Sequence, residues 1–482
     1  MKLTELIKNL KNYKLYNLRD FSVKGISCDS RKIKKNFVFV AIRGIKENGL
    51  KFIPEAINRG AKAIVTEVIP EEKIKPEVTY IKLKNIRQVY SKLCAEFYKN
   101  PSQSLKVIGV TGTNGKTTVT YLLEKILKTE GKDSLLIGTI NYHYKDKIFV
   151  SHNTTPSCEQ IQSLLSEAKK EGLDYAIMEV SSHALSQERV RDVNFSYAIF
   201  TNLTQDHLDY HHSIWAYFNA KARLFKMLSP KAEAIINRDD PYGKKLIKLT
   251  KAKITTYGLN KNADIYAKDI KLDIKGTRFT LVTPSGKIKI ESNLLGIYNV
   301  YNILAGSCFA ILENIKLTDI KRAIAGFFPP SGRLEEVYRK DFSVFVDYAH
   351  TPSALKNVLS VLREIFKKRI ILVFGCGGER DRGKRPQMGR IATELADFVI
   401  ITSDNPRSED PLKIIEDILR GVKKKNYIVI PDRREAILRS ISEAKKGDVV
   451  LVAGKGHERY QIMKDKIIPF DDSQLIRDYL KS

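Results

Sequence analysis

Gly112-Thr113-Asn114-Gly115-Lys116-Thr117-Thr118 decides how the chain is read, because of what stands on either side of it. The apolar run 105–110 has the length of a buried strand, and the pattern over 116–129 is helical. A glycine-rich turn from a strand into a helix is a phosphate cradle. Its backbone N–H groups turn inward at the helix N-terminus, where the peptide dipoles favour an anion. Lys116 adds a point charge and Thr117 a hydroxyl suited to Mg²⁺. Gly112, Thr113, Asn114, Gly115, Lys116, Thr117 and Thr118 are therefore candidate contacts to ATP. Val110 stands where the first glycine of a Gly-x4-Gly-Lys loop would be, which points away from ordinary kinases and GTPases.

Outward from the loop, strands and helices alternate. Strands are predicted at 134–138, 174–180 and 197–200, with helices at 159–170 and 214–227, as in a largely parallel sheet. Residues 254–292 read as strands, and helices return at 299–312 and 317–327. After the turn cluster Phe328-Pro329-Pro330-Ser331-Gly332, strands at 343–347, 370–374, 398–403, 427–430 and 449–453 alternate with helices at 352–366, 384–396, 411–419 and 433–444. That is a doubly wound, Rossmann-like pattern. Before the loop, Asn100-Pro101-Ser102 closes a stretch of short strands and helices. The expected fold is α/β in three domains: 1–103, 104–332 and 333–482.

A chain of 482 residues exceeds one compact core, and 43% hydrophobic residues suffice for several. The formal charge of +28 invites a nucleic-acid reading. Yet the lysines are dispersed and no Arg/aromatic run offers a stacking platform, so no nucleic-acid partner is expected. Five cysteines without Cys-x-x-Cys spacing argue against zinc or a disulfide framework. Polar residues interrupt the first apolar stretch and no run is long enough to span a bilayer, so a cytoplasmic protein without membrane insertion is expected.

Two further segments follow predicted strands, the edge where ligands of parallel sheets sit. Glu179 stands near the end of one, placed to serve Mg²⁺. Residues 201–211, Thr-Asn-Leu-Thr-Gln-Asp-His-Leu-Asp-Tyr-His, are dense in groups that bind metals or move protons, His207 among them. Lys221 lies in a helical pattern and would mean nothing by itself.

The loop Thr111 to Thr118 resembles that of the Mur ligase and folylpolyglutamate synthase superfamily, and the resemblance to Mur ligases extends over nearly the whole chain. It implies an ATP- and Mg²⁺-dependent ligase of peptidoglycan precursor synthesis. Such an enzyme joins meso-diaminopimelate to the D-Glu γ-carboxylate of UDP-N-acetylmuramoyl-L-alanyl-D-glutamate through an acyl phosphate. The lysine-adding form and a folylpolyglutamate synthase-like ligase are the alternatives, and a monomer is expected.

The resemblance also implies residue roles. Lys116, Glu179, His207 and Lys221 would be catalytic. Thr117, Glu179, His207 and Lys221, the last as N6-carboxylysine, would hold metal. Cys28-Asp29-Ser30-Arg31 and Phe37 to Ala41 look like the uridine-binding region, implying contacts from Cys28, Ser30, Ile45, Lys46 and Glu47. Asn153, Thr154, Thr155, Ser181, Gln187 and Arg189 match the segments that hold the muramoyl dipeptide. Asn302 matches the adenine side, with Tyr298 where many relatives have His. Arg333 and Asp347 match the hinge and strand-end elements at ATP. Arg380, Asp404, Asn405, Pro406, Arg407, Gly454 and Glu458 match the amino-acid pocket. Diaminopimelate carries one carboxylate more than lysine, and an arginine pairing with it would disfavour lysine by leaving that charge unmet.

Overall fold

Ile370–Phe374 is apolar at every position and buried at every position, which a central strand covered on both faces requires. Val449–Ala453 beside it is the same. In the computed structural model, which describes residues 1–44, 47–69, 74–464 and 466–481, these two strands are the centre of a six-stranded sheet. Its order is Glu335–Arg339, Ser343–Asp347, Val449–Ala453, Ile370–Phe374, Phe398–Ile401, Tyr427–Val429. All pairings are parallel except the first.

This sheet belongs to the larger of two compact units, formed by Val110–Gly131, Ile199–Ala222 and Glu233–Ser482. The helix Pro352–Phe366 covers one face, bringing Leu355, Leu359 and Leu362 onto Leu372, Phe374 and Leu451. It starts where it does because the Thr351 side chain accepts from the Ala354 N–H and Pro352 takes the first turn, where no N–H is needed. Truncating a side chain as enclosed as Leu372 to alanine costs about 2–5 kcal/mol.

The opposite face holds an ion pair with no exposure on either side chain, Arg433 with Asp472. Arg433 Nε and Nη2 donate to the two Asp472 oxygens at 2.9 and 2.7 Å, and Nη1 and Nη2 also reach the carbonyls of Ser403 and Ala453. The same unit carries the helix Lys116–Thr129, on which Ile297–Leu312 packs. It also carries parallel strands Glu233–Asn237, Lys253–Gly258 and Ile265–Asp273, extended antiparallel by Gly276–Thr283 and Gly286–Ser292.

The other unit comprises Met1–Gly109, Lys132–Ala198 and Arg223–Ala232. Its five-stranded sheet runs Lys14–Tyr16, Thr79–Lys82, Ala61–Thr66, Phe37–Val40, Gly25–Ser27, parallel except at the first pair. Tyr175–Glu179 pairs in parallel with Ser134–Ile137, which leads into an antiparallel hairpin, Asn141–Tyr144 and Lys147–Val150. Neither that hairpin nor Tyr460–Met463 with Lys466–Pro469 was expected from the sequence. Both turn on lysines with positive φ, Lys145 and Lys464, rather than on Asn-Gly or Asp-Gly. No helix among the described residues is long and apolar enough to cross a membrane.

Candidate functional site

The strand Lys106–Thr111 runs into Gly112, and in the larger unit the helix Lys116–Thr129 opens at Gly115, as the loop's sequence requires. Both glycines have positive φ, +152° and +87°. A Cβ at the first would lie 1.9 Å from the Thr201 hydroxyl, and at the second 2.4 Å from Asn302 Oδ1. Glycine is thus demanded by space as well as by backbone conformation. Thr201 and Asn202 fasten the loop from behind: the Thr201 hydroxyl donates to Asn114 O at 2.6 Å, and Asn202 Oδ1 accepts from Asn114 N–H at 3.0 Å. Thr118 is buried on the first turn of the helix.

Lys116 Nζ folds back on its own loop, donating to the carbonyls of Gly112 and Thr113 at 3.1 and 3.0 Å. The Thr117 hydroxyl accepts from Arg333 Nη2 at 2.9 Å, and that guanidinium stacks on Tyr348 at 4.7 Å. Asn302 donates to Asn299 Oδ1 beside Gly115. Asp347 accepts from the Leu334 N–H, and burial pushes its carboxyl up to about 6 against the pull of Arg333. The loop, Asn302, Arg333 and Asp347 are thus gathered in one place.

Lys221 is 1% exposed and donates to Gly112 O at 2.8 Å, directly behind the loop. Burial first, then the charge of Lys116, holds its amine well below the ordinary lysine value. A lowered amine pKa raises the share of the neutral, nucleophilic form. His207 has φ +54° and its Nε2 stands 3.3 Å from Asp206 Oδ2. Burial pushes the imidazole down to about 4, with Lys221 and Lys116 acting the same way against Asp206. Tyr217, which stacks under Lys221 and meets the Thr113 hydroxyl, and His350 with Lys384 also border this region. The sequence reading missed Tyr217 and Lys384, while His350 lies in the strand-end element that it matched through Asp347. The two it missed stand 104 and 271 positions beyond Thr113 and lie in ordinary helical patterns.

Among the described residues no three His, Cys, Asp or Glu side chains converge as a metal cage. The donors near the loop are instead the Thr117 hydroxyl, the His207 imidazole with the Asp206 carboxylate beside it, and the Lys221 amine. An amine is no ligand for a hard cation. Converted to a carbamate, it presents two anionic oxygens, so the donor chemistry fits Mg²⁺ once Lys221 carries CO₂.

At the strand edge of the six-stranded sheet where Asp347 also ends its strand, the loops after Phe374, Ile401 and Ala453 come together. Asn405 Nδ2 donates to Glu458 Oε2 at 2.7 Å, and Asn405 Oδ1 accepts from Ile462 N–H and from the buried Lys455. Gly454 lies so close to Asp404 that a Cβ would stand 2.6 Å from its carboxylate. Pro406 leads into Arg407, whose Nη1 donates to Gly378 O at 2.6 Å. Burial, and then the like charge of Arg380, lowers the Arg407 pKa, so the two guanidiniums crowd one region. Paired cations there suit a carboxylate.

In the smaller unit, Glu179 ends its strand fully buried and accepts from Thr139 N–H and hydroxyl at 2.8 and 2.9 Å. The Thr139 and Thr154 hydroxyls meet at 3.1 Å, and the Thr155 hydroxyl donates to Glu179 O at 2.7 Å. Ser181 caps the helix Ser182–Ser186. Arg189 donates to Thr155 O at 2.8 Å and through Nε and Nη2 to Gln187 Oε1. Asn153 joins this cluster through its carbonyl, which accepts from Tyr142. Elsewhere in the unit Cys28 is exposed, the Ser30 hydroxyl donates to Glu55 at 2.8 Å, and Glu47 O accepts from Gly44 N–H. Ile45 and Lys46 lie outside the described residues.

A strand, a glycine-rich loop and a helix with a buried amine behind them, joined in one chain to a doubly wound sheet, define an α/β protein of the phosphate-loop class. The chain belongs to the Mur ligase family: residues 22–98 match the family's catalytic domain, 110–310 the Mur ligase middle domain, and 332–456 the glutamate ligase domain. It is 44% identical over 485 residues to a UDP-N-acetylmuramoyl-L-alanyl-D-glutamate--2,6-diaminopimelate ligase from Clostridium tetani, covering 100% of this chain and 99% of the relative. The enzyme of the same name from Caldanaerobacter subterraneus is 43% identical, with 100% and 99% covered. A solved structure of a ligase so named superposes with a TM-score of 0.68 at 34% identity, covering 95% of each chain.

Proposed function

We propose that the chain is an ATP-dependent ligase that adds meso-diaminopimelate to the D-Glu γ-carboxylate of UDP-N-acetylmuramoyl-L-alanyl-D-glutamate, in the cytoplasm and as a monomer. One observation carries the chemistry: a phosphate-type loop at a helix N-terminus backed by the buried Lys221 amine. The diaminopimelate-adding relatives, similar over their full length, support the choice of substrates.

The loop N–H groups of residues 112–118 cradle the ATP phosphates, and Lys116 leaves its loop carbonyls to meet the developing charge. Asn302 borders the adenine side, and Arg333 reaches the phosphates from its place at Thr117. The neutral Lys221 amine attacks CO₂, forming an N–C bond and releasing one proton, which leaves a carbamate. Thr117, Glu179, His207 and that carbamate would hold Mg²⁺, which would supply screening of phosphate charge and polarisation of the acyl oxygen. Cys28, Ser30 and residues 45–47 contact the uridine nucleotide. Asn153, Thr154, Thr155, Ser181, Gln187 and Arg189 hold the muramoyl dipeptide. In the pocket, Glu458 and Asn405 with Asp404 and Gly454 meet the ammonium and carboxylate of the incoming amino acid, while Arg407 and Arg380 take its distant carboxylate. The working division of the chain is 1–103, 104–332 and 333–482.

The test is ADP release with the UDP-linked dipeptide and diaminopimelate, lysine or ornithine as acceptor. Diaminopimelate is expected to be turned over far faster than the others. Equal turnover of lysine refutes the acceptor, and no release with any of the three refutes the ligase.

A further inference from the structure

Arg385 is among the largest fully buried side chains, and it is not one of the residues expected to contact a substrate. Its guanidinium grips Glu409 with both ends of its fork, Nη1 to Oε2 and Nη2 to Oε1, each at 3.0 Å. Nη1 also donates to Asp417 Oδ2 at 3.0 Å, and Nη2 to Gly377 O at 3.4 Å. The carboxylate so held accepts from the backbone N–H of Glu379. One buried cation thereby fixes the loop 375–381 at two points, Gly377 and Glu379, immediately before Arg380.

The loop 404–409 is fastened to the same place. Gly378 N–H donates to Asn405 O at 2.9 Å, Arg407 Nη1 donates to Gly378 O at 2.6 Å, and the Ser408 hydroxyl donates to Glu379 Oε1 at 2.6 Å. Arg380 and Arg407 thus sit on two loops that share one anchor, and like charges held close together need such an anchor to stay convergent. A buried ion pair adds little net stability over a well-packed apolar substitute. Its consequence here is geometric.

We propose that Arg385, acting through Glu409, is a positioning residue for acceptor specificity: it holds Arg380 and Arg407 at the separation a second carboxylate requires. This rests on reading the pocket as the diaminopimelate site. An amino acid without that carboxylate does not use the two arginines, so its turnover is insensitive to Arg385.

The experiment compares kcat/KM for diaminopimelate and for lysine in the full chain carrying Arg385→Met, Glu409→Gln, Asp417→Asn or Arg407→Ala. In Arg385→Met and Glu409→Gln the diaminopimelate-to-lysine ratio is expected to fall on the order of 10- to 100-fold, the scale of a misplacement near 1 Å, with the lysine value and KM for ATP held within about twofold. Asp417→Asn, which leaves the link to Glu379 intact, is expected to keep the ratio. A proportional loss with both acceptors, or an equal fall in Asp417→Asn, assigns Arg385 to general packing and overturns the proposal. If Arg385→Met does not fold, Glu409→Gln decides. An unchanged ratio in Arg407→Ala refutes the pocket reading itself, whereas a fall there with none in Glu409→Gln overturns only the positioning role.

Discussion

The phosphate loop and the amino-acid pocket both stand at the ends of parallel strands, both are rich in glycine, and both collect positive charge, yet they hold that charge in opposite ways. Lys116, on a flexible stem, rests on two carbonyls of its own loop. Arg407 and Arg380 sit on loops fixed by a buried Arg385–Glu409 fork. A single flexible cation suits a group whose charge shifts during transfer. Fixed forks suit a ligand that must be told from one lacking a carboxylate. On the proposed function, the difference puts turnover and selectivity in separable parts of one unit.

The sharpest way to break the comparison is Lys116→Ala. Losing a donor aimed at developing charge is expected to cut ADP release on the order of 100- to 1000-fold with every acceptor alike. A coupled ADP assay showing near-normal rates removes the loop from the chemistry. Arg407→Ala comes next. A lost charge-assisted hydrogen bond is worth about 1.5–3 kcal/mol, so kcat/KM for diaminopimelate is expected to drop roughly 10- to 150-fold while that for lysine stays put. An equal drop with lysine would merge the two regions into one.

The smallest effect is on stability. The Arg385 side chain, together with the Glu379 N–H, pushes the Glu409 carboxyl down to about 2 from an ordinary 4.5. A depressed folded-state pKa contributes stability that is present above 4.5 and lost as pH falls toward 2. The Tm gap between the native chain and Glu409→Gln should therefore narrow on acidification through that window. A gap independent of pH would show that the pair does not anchor the pocket loops through charge.

What was legible in the sequence was local. The phosphate loop announces itself within seven residues because backbone conformation dictates its glycines, and strands such as Ile370–Phe374 show in a short apolar run. The 254–292 stretch read as strands and forms three hairpin-linked or parallel strands beyond Lys253–Gly258. The Arg385 anchor was not legible. Arg385, Glu409 and Asp417 are separated by 24 and 32 positions, and each reads as a solvated charge at a helix end. Lys221 was flagged only through family resemblance; its burial against Gly112, 109 positions away, is a tertiary fact that helical periodicity does not carry.

The Arg433–Asp472 pair ties the helix Asp472–Tyr479 to the floor of the pocket, since Arg433 also grips the carbonyls of Ser403 and Ala453, one residue before Asp404 and Gly454. Asp472 is therefore a keystone: without it the buried guanidinium loses its directly paired counter-charge, a defect of about 3–5 kcal/mol.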